Sequence, residues 1–266
     1  MKSRNHQVFV RKFKEEFESV ILGGGVIVAL LVLWEIASDL RWINPMFSSS
    51  PSRIVNSGWK MITDGSIFIH IQSSGLIFIY GYLLAAVVRI PLGIMLGWFK
   101  KASQALGPII AAFYTTPRIA MMPLFIIWFG LGIGSKLALV FLSAVFPLIV
   151  NMQAAVSNLD KDLTRVAEAY GANRRQIFWT IALPESVPFL LTGLRLATGR
   201  ALLGVVGAEV FGGAEGLGYL IQYAGATFQT DIVFVCVIII AAFGMVMDRS
   251  LLALNRRFDA WRGNGC

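Results

Sequence analysis

The sequence predicts an all-α integral membrane protein of about six transmembrane helices, with an ordered polar loop between the fourth and the fifth. Three observations carry that prediction. Of the 266 residues, 56% are hydrophobic and only 14% are charged. Soluble domains carry about 25% charged residues, so lipid has to be the solvent for much of this chain. Six segments are long and apolar enough to cross a bilayer, which takes about 20 residues. Between the fourth and fifth lies "EAYGANRRQIFWTIALPESVPFLLTGLRL" (Glu168 to Leu196), which begins charged and ends apolar.

The first span is expected over Val20 to Ser38, with Glu35 its only charge. A basic flank also precedes cleaved signal peptides, but this apolar core is at the long end and no A-x-A-like site follows, so retention is expected. The second span is expected over Gly75 to Trp98 with one charge, Arg89, and the third over Leu106 to Leu131 with Arg118 and three prolines. Leu137 to Val156 carries no charge. Val187 to Ala208 contains Arg195 and Arg200, and Asp248 and Arg249 mark the exit of the sixth span, Ile232 to Leu254. Two loops, turn-rich Arg41 to Gln72 and glycine-rich Gly212 to Asp231, read either as solvated connectors or as surfaces that touch something outside. No internal repeat or linker divides the chain. One transmembrane domain over 1–266 is expected, with a core over 75–255 after a tail and first span over 1–40.

Basic residues gather on the cytoplasmic side of membrane proteins. One side collects fifteen: Lys2, Arg4, Arg11, Lys12 and Lys14 in the tail, Lys100 and Lys101, then Lys161, Arg165, Arg174 and Arg175 in the polar loop, and Arg249, Arg256, Arg257 and Arg262 at the end. The other side holds four: Arg41, Arg53, Lys60 and Lys136. Both termini and the polar loop are therefore expected in the cytoplasm, with the chain multi-pass in the cell (inner) membrane. Because these charges flank apolar spans, the net charge of +8 points to membrane lipid and not to nucleic acid. Cys236 and Cys266 make no disulfide framework, and His6 and His70 have no metal-ligating neighbour at helical spacing. The motifs G-x-S-x-G and H-E-x-x-H are missing, so no catalytic residue, metal or cofactor is expected.

In the polar loop, Leu159, Leu163, Val166, Ala167 and Tyr170, then Ile177, Phe178 and Ile181, fall at helical spacing. Gly171 interrupts them where a tight turn is cheap. Asn173, Arg174, Arg175 and Gln176 form a polar tip, and Pro184 and Pro188 bracket the return into the membrane. Two short helices around a glycine corner suit either a docking element or an amphipathic helix resting on lipid headgroups.

Charges inside the spans have to face protein or water. Arg118 lies about 12 residues from either end of its span, about 18 Å from either interface and too deep to snorkel. Its neighbours Pro117 and Pro123 free backbone carbonyls, so "TTPRIAMMP" (Thr115 to Pro123, including Met122) reads as an irregular stretch lining a passage or clamped by those carbonyls. Arg200 and Glu209 are further candidates for a passage. Arg89, at the limit of snorkelling, and Arg195 read as structural. Gly193, Gly199, Gly204 and Gly207 allow close helix approach.

Gly171, nine residues, then Ile181-x-Leu183-Pro184 resembles the cytoplasmic "EAA" loop of permease subunits in ATP-binding-cassette importers, which reads E-A-A, three residues, G, nine residues, I-x-L-P. Arg165 stands in the slot of the leading glutamate, and Glu168 lies three places later. "PLFIIWFGLGIGSK" (Pro123 to Lys136), "LTGLRLATGRAL" (Leu191 to Leu202) and "GLGYLIQYA" (Gly216 to Ala224) resemble the branch that imports sulfonates, taurine, nitrate and related solutes. The resemblance implies a type I importer permease fold with a cytoplasmic coupling helix. It also implies a second permease copy (a homodimer), two separate ATP-binding subunits and an extracytoplasmic solute-binding protein. It places ATPase docking on Ala167, Glu168, Gly171, Ala172, Asn173, Arg174, Arg175, Gln176 and Pro184, and sets a translocation pathway beside Arg118, Met122, Arg200 and Glu209. No G-x-x-x-x-G-K-[ST] phosphate loop is present, so ATP is not expected to bind this chain by that motif. A free-standing secondary carrier or channel is the alternative; it accounts for the buried arginines but not for the glycine-cornered loop.

Overall fold

The structure is a computed structural model and describes residues 22–157, 159 and 161–261. The basic tail, His6, Arg262 and Cys266 lie outside the described residues. Every regular element among the described residues is helical: α1 (Leu22–Asp39), α2 (Pro45–Ser48), α3 (Pro51–Thr63), α4 (Ser66–Trp98), α5 (Lys100–Thr115), a 3-10 turn (Arg118–Met121), α6 (Met122–Phe129), α7 (Ile133–Ser157), α8 (Lys161–Ala169), α9 (Arg174–Ile177), a π turn (Phe178–Ala182), α10 (Leu183–Gly212), α11 (Leu217–Ala226) and α12 (Thr230–Trp261). Five of the helical runs are long and apolar enough to cross a membrane, or six if one broken pair counts as a span.

That broken pair corrects the third expected span. Leu106 to Leu131 is not one helix: α5 and the Arg118–Phe129 segment meet at 90°. The cause is local. Pro117 has no N–H to continue the α5 ladder, and it biases the residue before it to an extended backbone, as Thr116 shows (ψ 131°). The fifth span also starts earlier than expected. From Arg174 the chain stays helical to Gly212, because the π turn joins α9 to α10 with no exit from the helix. Leu183 N–H reaches five residues back to Phe178 O, and this wider turn precedes Pro184, which occupies the first turn of α10.

The described residues divide into two compact units, Gly65–Tyr223 together with the residues from Cys236 onward, and those up to Asp64 together with Ala224–Val235. In the first, α4, α7 and α10 form the core around Ile77, Phe78, Ala85, Val140, Ala144, Leu148, Ala197, Ala201 and Val205. Their directions follow from close approaches. A Cβ on Gly81 would sit 2.6 Å from Val140, and one on Gly93 or Gly97 would sit 2.5 Å from Met152 or Val156. The contacts advance together, so α4 and α7 run the same way. Gly193 faces Asn151 while Gly204 faces Ser143, so α10 runs against them. Lipid gives no hydrophobic drive between helices, so close backbone packing has to supply it, and small residues permit that.

The segment Arg41 to Gln72 is not turn-rich as expected. It holds α3, with Ser50 as N-cap and Pro51 in the first turn. Glu35 of α1 accepts bonds from Ser52 N–H (2.9 Å) and Ser52 Oγ (2.6 Å), so a carboxylate meets the positive end of α3. Asp231 accepts from Ser49 Oγ at 2.7 Å and pairs with Arg53 at 3.3 Å.

The seam yields a direct expectation. Gly93→Ala forces α4 and α7 apart and costs about 1–3 kcal/mol, the usual range for overpacking. Gly75→Ala, where nothing lies within 4 Å, does not lower stability and raises it by up to about 1 kcal/mol, the helix preference of Ala over Gly. Thermal unfolding of both variants in detergent checks this.

Candidate functional site

The break in the third span builds a cavity. Four carbonyls at the C-terminal end of a helix lack intrahelical donors. At the end of α5, Thr115 Oγ1 and Thr116 Oγ1 donate to Ala112 O at 3.0 Å and 2.9 Å, and Arg118 Nη2 donates to Tyr114 O at 2.8 Å. The carbonyl clamp expected for Arg118 is therefore present, at the negative end of the helix dipole. The clamp takes only part of the guanidinium, because Nε is buried without a partner. Beside it opens a cavity of about 280 Å³, lined by residues 114–119, Ser143, Arg200, Leu203 and Gly204. Arg118 and Arg200, 82 positions apart in sequence, thus share one cavity, and no Asp or Glu lines it. Met122 and Glu209 do not line it. Met122 is buried with Phe125, Leu139 and Ala208.

Arg89 does not snorkel. It is 7% exposed, with its guanidinium 4.7 Å from the Phe141 ring and 5.2 Å from the Phe146 ring. Arg118 lies over the same Phe146 at 5.4 Å. Desolvated cation–π contacts are worth about 2 kcal/mol, which offsets part of the cost of burying each charge. Arg195 is structural, as expected: it forks onto Asp248 at 2.7 Å and 2.9 Å and ties α10 to α12.

Glu209 closes a different corner. It is fully buried, with Ser74 Oγ 2.7 Å and 2.9 Å from its two oxygens and Gly218 N–H donating at 2.8 Å. Leu217 N–H bonds Ser74 Oγ, and Gly216 N–H bonds His70 Nδ1. A Cβ on Gly216 would collide with the Glu209 carboxylate. The carboxylate therefore fixes the start of α11 to α4. Sequence reasoning missed Ser74 and His70; nothing in the local pattern marks partners 135 residues away.

The polar loop is an elbow with a complete hydrogen-bond pattern. After α8, Gly171 takes φ +81°. Gly171 N–H returns to Glu168 O and Ala172 N–H to Ala167 O, the paired bonds of a Schellman turn. Asn173 and Gln176 then cap α9 reciprocally, at 2.9 Å and 2.8 Å. Two of the four tip residues thus hold the backbone, which leaves Arg174 and Arg175 as its free charges, both exposed. Ile177 is buried, and Phe178 meets Trp98 at the end of α4, edge to face at 5.1 Å. The outer stripe of α8 stays uncovered: Leu163 is 48%, Val166 55% and Tyr170 89% exposed. Arg165, in the slot of the absent glutamate, pairs with Asp162 at 3.6 Å on the surface. Ala167, Glu168, Ala172 and Pro184 lie along the same elbow and its return helix.

Residues 89–260 match the family model described as "Binding-protein-dependent transport system inner membrane component". The taurine transport system permease protein TauC of Escherichia coli (strain K12) is 30% identical over 267 residues, covering 97% of each chain. The putative aliphatic sulfonates transport permease protein SsuC of Bacillus subtilis (strain 168) is 33% identical, covering 88% of this chain and 85% of that protein. Among solved structures, a chain of the MetNI methionine ABC transporter in inward-facing conformations superposes with a TM-score of 0.62 at 18% identity, over 72% of this chain and 95% of that one. That likeness is one of fold. With the family match and the full-length likeness to a permease, it identifies this chain as a member of the binding-protein-dependent transport system inner membrane components, a multi-pass permease subunit of an ABC importer.

Proposed function

We propose that the chain carries a small oxyanion of the sulfonate class past Arg118 and Arg200. The observation that carries this reading is the shared cavity with two guanidinium groups and no lining carboxylate. A sulfonate keeps its charge and offers three acceptor oxygens, which suits guanidinium forks and the hydroxyl of Ser143. The names of the relatives, taurine and aliphatic sulfonates, point the same way. Met122 and Glu209 belong to this pathway as supports: Met122 packs behind the break, and Glu209 secures the loop above it.

Two copies of the chain, each one permease domain over 1–266, enclose the passage, and an extracytoplasmic binding protein delivers the solute. Two separate ATP-binding subunits grip the elbows, which lie with both termini on the cytoplasmic side. The exposed stripe Leu163, Val166 and Tyr170 beside Arg174 and Arg175 supports that seat, because an apolar ridge with a cationic tip suits a partner groove. The elbow is continuous with α10, so a displacement of Arg174 travels along one helical run to Arg200.

Arg200 makes no hydrogen bond among the described residues, so its replacement leaves the fold intact. In proteoliposomes with the ATP-binding subunits and binding protein, Arg200→Gln raises the KM for taurine about 10- to 100-fold, the effect of losing a charged hydrogen bond of about 1.5–3 kcal/mol. A wild-type KM contradicts the pathway. Gly171→Pro removes the N–H that bonds Glu168 O and forbids φ +81°. This variant inserts into the membrane normally but no longer co-purifies with the ATP-binding subunits; wild-type recovery of those subunits contradicts the docking role.

A further inference from the structure

At the other end of α7 from the elbow lies a larger cavity, about 540 Å³, between the N-terminal ends of α4 and α7 and the C-terminal end of α10. We propose that it is an entry subsite for an oxyanion, and that Lys136 recognises the anion there before it reaches Arg118 and Arg200. The proposal rests on the reading of the passage as anionic and adds a first station to it.

Lys136 lines this cavity and is only 8% exposed. Among the described residues its ammonium makes no hydrogen bond and no ion pair. An ammonium has three N–H donors and no acceptor, and here they face the open cavity and not another protein group. The one buried carboxylate whose field reaches it is Glu209. Glu209 does not close a pair with it, because its oxygens already take Ser74 Oγ and Gly218 N–H. The lysine thus has a buried stem and an ammonium whose bonding capacity is free.

A second feature favours the same charge. Gly132 and Ile133 line the cavity where α7, a helix of 25 residues, begins, so the positive end of its dipole faces the space. Ser135 turns its hydroxyl away, onto Gly132 O at 3.0 Å. Gln72, Ser73 and Tyr80 add polar groups that bond an oxyanion without competing for its charge. Glu215, exposed, is the one acidic lining residue. Lys136 and Ser143 are seven residues apart on α7, about 10 Å at 1.5 Å per residue. Two cationic stations two turns apart let an anion enter without being trapped at either.

Thiol labelling tests this without any transport assay. With Cys266→Ser, the remaining Cys236 is buried and inert. Gln72→Cys then reports on the cavity in the assembled transporter through two methanethiosulfonate reagents, the anionic ethylsulfonate and the cationic ethyltrimethylammonium. At low ionic strength the anionic reagent is expected to react about 10-fold faster, the lower end of electrostatic focusing in a charged cleft. Added sodium methanesulfonate is expected to slow it, and Lys136→Gln to remove the preference. Equal rates with Lys136 intact, a preference that survives Lys136→Gln, or no reaction with either reagent overturns the proposal. If the preference is found but wild-type proteoliposomes take up no taurine, the sulfonate reading falls and the entry subsite stands. If taurine is transported normally and Lys136→Gln leaves labelling unchanged, only the subsite falls.

Discussion

Everything in the larger unit depends on how closely α4, α7 and α10 approach one another. In lipid, apolar side chains gain nothing by leaving an apolar solvent, so the seam is held by close packing and by a few hydrogen bonds between helices, such as Ser74 to Glu209 and Tyr82 Oη to Leu194 O. Glycines at the crossings let α7 backbone and Cβ atoms fill space that side chains would otherwise take. The result is a three-helix block with α7 in the middle, α4 running alongside it in the same direction and α10 returning against it. The break at Pro117, the buried arginines and the elbow are all attached to that block.

The same bilayer that weakens hydrophobic attraction makes an unpartnered charge expensive, and the buried cations meet that cost in different ways. Arg195 takes a bidentate carboxylate on α12. Arg89 takes aromatic faces. Arg118 takes one carbonyl and two rings, Tyr114 and Phe146, and keeps the rest of its guanidinium for the cavity. Arg200 and Lys136 take nothing among the described residues and face open space. Arg195, fully paired, holds helices together; Arg89 is sealed under aromatic rings with Nε and Nη1 unbonded; Arg118, Arg200 and Lys136 line the two cavities. That division separates structural charges from those available to a passing anion.

Much of this was legible in the sequence, and the reason differs by residue. Span count and the elbow follow from hydropathy and from Gly171, because both are local. The carbonyl clamp on Arg118 was foreseeable from Pro117 and Pro123. The 90° bend was not, since a hydropathy window records how apolar a segment is and not where it points. The helix α3 was hidden because Ser50-Pro51 reads as a turn as readily as a cap followed by a first-turn proline. The π turn leaves no periodic signal. Arg118 meeting Arg200, and Ser74 meeting Glu209, depend on the register of α4, α7 and α10, which only the packed seam fixes.

The central claim is mechanical: α9, the π turn and α10 form one continuous helical run, so movement at the ATP-binding subunits is expected to reach the cationic cavity. Spin labels on Arg175→Cys and on Leu203→Cys, each paired between the two copies of the assembled importer, test it by distance measurement with and without trapped ATP. The account predicts that trapping ATP shortens the distance at 175 and shifts the distance at 203 in the same samples. A change at 175 with no change at 203 would contradict it.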